Sequence, residues 1–262
     1  MFNFIFQEFI IQELHGFVSD NDFNKFLNVS TKFKEYKKRY FYWELNTIYS
    51  LMYYSDNDFY TLMNTNISNE NKQISIILYN TIITEDIGKR LSNVNKLDLS
   101  WCDDITDDIV KHLGNVHTLK LWECSKITNE SVRYLGNIHT LDLMGCNITN
   151  DVLEYLVNVH TLNISCCRKI TDEGLKYLGN IHNLNISFCR KITDKGLIHL
   201  VNVHTLDLCG CNNITNEGIK LLGKCHSLKL GYLIKITDEC LVYLGNVKNL
   251  MLYQTFINEY SR

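Results

Sequence analysis

A chain of 262 residues with 45% apolar side chains is long enough for one large domain or two small ones and apolar enough to bury a core. Its formal net charge of −3 gives no global attraction to nucleic acid or to an anionic membrane surface, so a partner must be recognised locally. Runs such as Ile74 to Tyr79 fall well short of the roughly 18 apolar residues that a membrane span needs.

Met1 to Phe17 has no basic leader, and Glu8 and Glu13 interrupt its apolar residues. The ten cysteines are therefore expected as reduced thiols in a cytoplasmic or nuclear protein. Proline is absent while Asn, Ile, Lys and Tyr abound. Such usage suggests the AT-rich genome of a protist or a large DNA virus, the host cytoplasm being the location in the second case.

From residue 5 to 45 the apolar positions recur at helical spacing. They run Ile10, Ile11, Leu14, Phe17 and Val18, then Phe23, Phe26, Leu27, Val29 and Phe33, then Tyr42, Trp43 and Leu45. Such stripes predict short helices with one apolar face each. Residues 46–70 read as a connector, mostly polar from Asn64 onward.

The remainder, 71–262, is periodic. Rows of 22 residues begin at Val94, Val116, Ile138, Val159, Ile181, Val203 and Cys225, with one deletion near Asn147. A degenerate row at 71–93 precedes these seven, which span 94–246, and a partial row at 247–262 follows. Recurrence of this kind marks stacked structural units.

Within a row, apolar residues at positions one, four and six alternate with polar neighbours, as in Val94, Leu97 and Leu99 around Asp98. That is the period of a strand. An Ile-Thr-Asp or Ile-Thr-Asn box follows, and apolar residues then return at helical spacing, as in Val110 and Leu113. Thr106 or Asp107 reads as a helix cap, and Gly114 as the helix stop. A single row buries too few side chains to offset the entropy of ordering its backbone, so the rows must stack into one solenoid.

The pattern L-x-x-L-x-L-x-x-C-x-x-I-T-D resembles the cysteine-containing class of leucine-rich repeats, shortened here to 22 residues. The resemblance implies an α/β solenoid: a horseshoe with a concave parallel sheet and short convex helices. In the N-terminal segment the order I-x-x-E-L-x-x-F-V-S-D-x-D-F-x-x-F-L-x-V-S-T-x-F-K-E-Y, closing on Y-W-E-L, resembles the F-box. That implies a small all-helical domain over 1–45.

Together the two resemblances imply the substrate-recognition subunit of a Skp-cullin-F-box ubiquitin ligase. Ile10, Ile11, Leu14, Phe17, Val18, Phe23, Phe26, Val29, Phe33 and Trp43 would dock on a Skp-family adaptor and through it on cullin and a RING protein. A target protein of unknown identity would lie on the concave face. The alternative is a free-standing interaction scaffold, monomeric, whose N-terminal helices only cap the array. Neither reading involves nucleic acid or membrane, catalysis, or a cofactor.

Several columns imitate active sites. Cys102, Cys124, Cys146, Cys167, Cys189 and Cys211 share position nine, which suggests a metal ladder. The more economical reading is a small buried side chain whose thiol bonds a backbone carbonyl. Cys166 beside Cys167, and Cys209 with Cys211, lack zinc-site spacing.

His117, His139, His160, His182, His204 and His226 form a second ladder, read as a repeated rim residue or else as a pH or metal sensor. Asp107, Asp172, Asp194 and Asp238 read as helix caps rather than acid/base pairs. Lys126, Arg168, Lys169, Arg190, Lys191 and Lys235 give a basic edge, either plainly solvated or meeting an acidic or phosphorylated partner.

Recognition belongs where rows differ. Position five carries Asp98, Lys120, Asp142, Asn163, Asn185, Asp207 and Lys229, and positions seven and eight carry Trp101, Trp122, Met144, Phe188, Tyr232 and Tyr253. Aromatics beside mixed charge suit binding anchors, unless they merely cover the next row.

Overall fold

The structure is a computed structural model, and it describes residues 42–45, 73–78 and 82–253. Among the described residues ten strands form one parallel sheet in strict chain order. They are β1 (Tyr42–Leu45), β2 (Gln73–Ile77), β3 (Lys96–Asp98), β4 (Thr118–Lys120), β5 (Thr140–Asp142), β6 (Thr161–Asn163), β7 (Asn183–Asn185), β8 (Thr205–Asp207), β9 (Ser227–Gly231) and β10 (Asn249–Tyr253).

Register follows the repeat, so each row's position-four leucine faces the next: Leu97 pairs with Leu119, Leu119 with Leu141, Leu141 with Leu162, and on to Leu228 with Leu250. Positions four and six point inward together with the Cys and Ile columns, and they make a single continuous core from Ile76 to Val247. Each row alone has half a core, and its neighbours supply the rest.

One element departs from the expectation. Tyr42, Trp43 and Leu45 are not helical but form β1, paired with β2 in the register Tyr42↔Gln73 to Leu45↔Ile76. Aromatic and branched residues favour extended backbone wherever a sheet edge offers hydrogen bonds. The repeat sheet thus begins one strand earlier than the periodicity indicates. The helices expected before Tyr42 lie outside the described residues.

After each strand the ladder runs on to position eight, whose N–H donates to the next row, as Trp101 does to Trp122 O (2.8 Å) and Phe188 to Cys209 O (2.7 Å). The chain then turns sharply downward through a left-handed residue. Trp101, Glu123, Cys166, Phe188 and Tyr232 have φ of 63°, 55°, 60°, 58° and 55°, and the two remaining rows place Gly145 and Gly210 there. Only glycine adopts this conformation freely. Five rows nonetheless spend that energy on a larger side chain at the rim of the sheet.

The far side of the described residues consists of short helices, α1 (Glu85–Leu91) of about two turns and the rest of a single turn: α2 (Asp107–Val110), α3 (Asn129–Val132), α4 (Asp172–Leu175), α5 (Asp194–Leu197) and α6 (Asn216–Ile219). The row with the deletion and the last full row use 3-10 turns instead, at Asn150–Leu156 and Asp238–Tyr243.

Threonine stands at the start of each of these turns, but only some cap it with the side chain. Thr128, Thr193 and Thr215 each accept a hydrogen bond from the backbone N–H two residues on, and Thr84 from the one three residues on, whereas Thr106, Thr149, Thr171 and Thr237 make no such bond. The aspartates do something else. Asp172 accepts from Thr193 N (2.8 Å) and Thr193 Oγ1 (2.6 Å), and Asp194 makes the same pair with Thr215. They join consecutive rows rather than capping their own helix. Asn129, Asn150 and Asn216 make equivalent clasps to Thr149, Thr171 and Thr237 by accepting from the backbone N–H and donating to the hydroxyl.

Gly114 also differs from its expected role, since its φ is not positive. A Cβ there would stand 2.4 Å from Tyr134 O. Glycine is needed for close approach of the next row, not for a left-handed helix stop.

Candidate interaction surface

The face of the sheet turned away from the helices carries positions three, five and seven, with position eight at its rim. Position five is less free than its variation suggests. Asp98, Asp142, Asn163, Asn185 and Asp207 each use Oδ1 to accept the backbone N–H two residues ahead, at 2.9 to 3.2 Å. This local bond pins the strand end before the left-handed turn.

Asp98 is 7% exposed and also accepts from Ser100 Oγ (2.6 Å). It is a structural group and no contact for a partner. Its charge is met by Lys120 (3.2 Å), and Asp207 is met by Lys229 (3.7 Å). Asn163 donates to Asp142 Oδ2 at 3.0 Å. Lys120 and Lys229 keep half-exposed and partly exposed side chains. Of the position-five residues these two are the ones with ammonium groups on the open face.

The aromatics remain accessible. Trp101 is 51% exposed and Trp122 37%, with ring centroids 5.7 Å apart and planes tilted by 44°. Phe188 and Tyr232 form a second pair at 6.2 Å across Gly210. A Cβ on Gly210 would meet the Phe188 ring at 2.4 Å. Phe188 therefore does cover the next row with one face while it presents the other to solvent. Tyr253 is likewise exposed, whereas Met144 is half-buried. Trp43 lies in β1, and Ile10, Ile11, Leu14, Phe17, Val18, Phe23, Phe26, Val29 and Phe33 are outside the described residues.

The cysteine column is internal. Each thiol donates to the position-six carbonyl of the preceding row: Cys102 to Leu78 O (3.0 Å), Cys124 to Leu99 O (3.3 Å), Cys146 to Leu121 O (3.1 Å), Cys167 to Leu143 O (3.3 Å), Cys189 to Ile164 O (3.2 Å) and Cys211 to Ile186 O (3.2 Å). Burial pushes Cys124 and Cys189 up to about 12 and Cys146, Cys167 and Cys211 further still. Thiols so far from ionisation are neither nucleophiles nor ready metal ligands. Among the described residues no group of three or more His, Cys, Asp or Glu side chains is placed to hold a metal ion.

The histidine ladder is a continuous stack, with successive ring centroids 4.6, 4.6, 4.6, 4.3 and 4.3 Å apart. His117, His139, His160 and His204 each place Nδ1 3.2 to 3.3 Å from the hydroxyl of the following threonine. Ring lone pairs lie in the ring plane, so parallel rings aim side by side and do not converge as a tetrahedral ion requires.

Desolvation in the stack, then neighbouring imidazoles, then Lys96 or Lys248 at its ends hold His117 and His204 below the usual histidine value. Desolvation and the flanking rings do the same to His160. The folded chain thus binds fewer protons than the unfolded one below about pH 6.5, and stability falls as pH drops through that region. We expect the melting temperature to decline between about pH 7 and pH 5, and the decline to flatten when His117, His160 and His204 are changed to Gln. An equal slope in that variant assigns the effect elsewhere.

The basic edge divides in two. Lys126 pairs with Asp104 (2.6 Å), and Lys235 donates to Asn213 Oδ1 (3.0 Å). Arg168, Lys169, Arg190 and Lys191 are exposed and form no ion pair with any described residue. No helix among the described residues is long and apolar enough to cross a membrane.

A family model described as Leucine Rich repeat matches residues 90–114, 137–157, 155–179, 180–201 and 199–223. No curated protein sequence matches the chain. Among solved structures the chain is similar to TLR13, solved as a TLR13-ssRNA13 complex, with 19% identity over 84% of this chain and 33% of that one, at a TM-score of 0.60. It is similar to internalin C2 of Listeria monocytogenes str. 4b F2365, with 25% identity over 68% of this chain and 80% of that one, at a TM-score of 0.51. For internalin F of the same strain the values are 16%, 74%, 65% and 0.52. The chain thus spans about a third of the length of TLR13 and just under two thirds of internalin F. The matched rows, the register of the strands and the shared architecture identify the array as leucine-rich repeats folded into a parallel-sheet solenoid.

Proposed function

We propose that the chain is the target-recognition subunit of a Skp-cullin-F-box ubiquitin ligase. Its N-terminal segment would hold a Skp-family adaptor, and the open sheet face would hold the protein to be modified. The observation that carries the recognition half is the pair of exposed aromatic clusters, Trp101 with Trp122 and Phe188 with Tyr232, beside the ammonium groups of Lys120 and Lys229. Large rigid side chains next to charge are the residue types that dominate protein interfaces. The adaptor half is supported by the F-box-like order of residues from Ile10 to Tyr36. Such a subunit acts by raising the local concentration of its target at the ligase, without bond chemistry of its own.

The test is capture from eukaryotic lysate by the full chain. Adaptor and cullin are expected with the native sequence and lost when Leu14 and Phe17 are both changed to Ala. Failure of the native chain to retain the adaptor overturns the ligase reading.

A second reading, a protein-interaction scaffold without a ligase, draws support from β1. The last residues of the F-box-like segment belong to the repeat sheet, so removing 1–45 would bare the edge of β2 and destabilise the array. On that reading the full chain captures a protein partner but no adaptor.

A further inference from the structure

The two Arg-Lys pairs stand at the same place in consecutive rows, Arg168-Lys169 after Cys167 and Arg190-Lys191 after Cys189. Adjacent rows of the sheet lie about 4.8 Å apart, so the four cations share one small area of the rim. Burial and then Glu123 push the Cys166 thiol up, and Arg168 and Arg190 both oppose that shift. Arg168 and Arg190 are both exposed.

Their surroundings isolate them. Going back along the column the equivalent positions hold Asn147, then Ser125 and Lys126, then Asp103 and Asp104; going forward they hold Asn212 and Asn213. Lys126 is already paired with Asp104. Lys89, Lys111, Lys120, Arg133, Lys220 and Lys229 each sit beside a carboxylate of their own row or a neighbouring one. Against an overall charge of −3, four cations on two rows that pair with no described carboxylate are a local departure from a balanced surface. Phe188, 39% exposed, lies two residues before Arg190 and offers an apolar surface close by in the chain.

We propose that this patch docks a short acidic segment of a partner protein, its carboxylates meeting Arg168 and Arg190 and an apolar side chain resting on Phe188. Guanidinium forks suit carboxylates because two parallel N–H donors match two oxygens. A nucleic acid suits the patch less well. The positive area is only two rows wide, and a longer polyanion would run onto Asn147 and then the already paired Lys126 in one direction and onto Asn212 and Asn213 in the other. The inference deepens the recognition half of the proposed function and rests on that half. It requires no ligase.

Binding of labelled octaglutamate to the full chain at low salt, read by fluorescence anisotropy, tests it. Arg168→Glu with Arg190→Glu is expected to weaken binding by about tenfold or more, and added salt to weaken it further. Phe188→Ala is expected to weaken a peptide carrying leucine beside the glutamates and to leave octaglutamate unchanged. Lys224→Glu makes the same kind of charge change at an exposed site before β9 and is expected to have little effect.

Unaltered melting of the double variant establishes that it folds. Absence of binding, an equal loss in Lys224→Glu, or tighter binding of a uridylate octamer than of octaglutamate overturns the proposal. The assay contains no adaptor, so its failure leaves the lysate capture untouched, and failure of that capture leaves this result standing.

Discussion

Changing Gly136 to alanine is expected to destabilise the array by about 2 to 3 kcal/mol, the upper part of the range for overpacking a tight site. A Cβ at this position would stand 2.2 Å from the carbonyl oxygen of Tyr155. The obstacle is backbone belonging to the next row, not the end of a mobile side chain. Relief therefore requires one row to move off the other, and that movement disturbs the core on both sides. Gly114, Gly179 and Gly223 meet the backbone oxygens of Tyr134, His199 and Tyr243 at 2.4 to 2.5 Å, so the penalty should recur along the column.

The last member of the column supplies the control. Gly245 has nothing within 4 Å of its would-be Cβ and no positive φ. Gly245→Ala is expected to be neutral, or to stabilise by about 0.4 to 1 kcal/mol through the unfolded chain. Urea unfolding of the two variants decides the matter. Equal stability would show that the rows tolerate a methyl group between them and that close approach is not why glycine stands there.

The glycine column marks a limit on what spacing reveals. Periodicity located the strands, the inward leucines and the buried cysteines because burial acts on every row alike and leaves the same residue type in the same place. Leu97, Leu119 and Leu141 in register and six thiols bonded to carbonyls of the preceding row follow from that logic. What lies between rows is harder to read. Asp172 looks like a helix cap in its own row, and only the stacked geometry shows its oxygens turned to Thr193 of the next.

The open face of the sheet was legible in part. Trp101, Trp122, Phe188 and Tyr232 are exposed as their variability suggested, but Asp98 is not, because a short carboxylate at a strand end finds backbone N–H groups before it finds a partner. The left-handed turn at position eight left no sequence signal in five of seven rows, where the residue is not glycine. Tyr42, Trp43 and Leu45 misled for a different reason: three apolar residues so closely spaced fit a strand as well as a helix.

The inter-row clasp supplies the second large effect. Changing Asp194 to alanine is expected to cost about 3 kcal/mol, since hydrogen bonds to a charged group contribute roughly 1.5 to 3 kcal/mol and the partner is left without an acceptor. Two bonds disappear together, from Thr215 N (2.8 Å) and Thr215 Oγ1 (2.6 Å). The space around the carboxylate is shaped for it: a Cβ on Gly218 would come within 2.2 Å of Asp194 Oδ1, which accounts for glycine in that helical turn despite its low helix propensity.

Asparagine distinguishes a geometric clasp from an electrostatic one. In other rows Asn129, Asn150 and Asn216 hold the same threonine by accepting from its N–H and donating to its hydroxyl. The hydroxyl merely reverses its role. Asp194→Asn should therefore retain most of the stability, with a loss below about 1 kcal/mol, while Asp194→Ala loses the full amount. If asparagine were as damaging as alanine, charge rather than shape would hold the rows together at this seam, and the mixture of Asp and Asn down the column would lose its physical explanation.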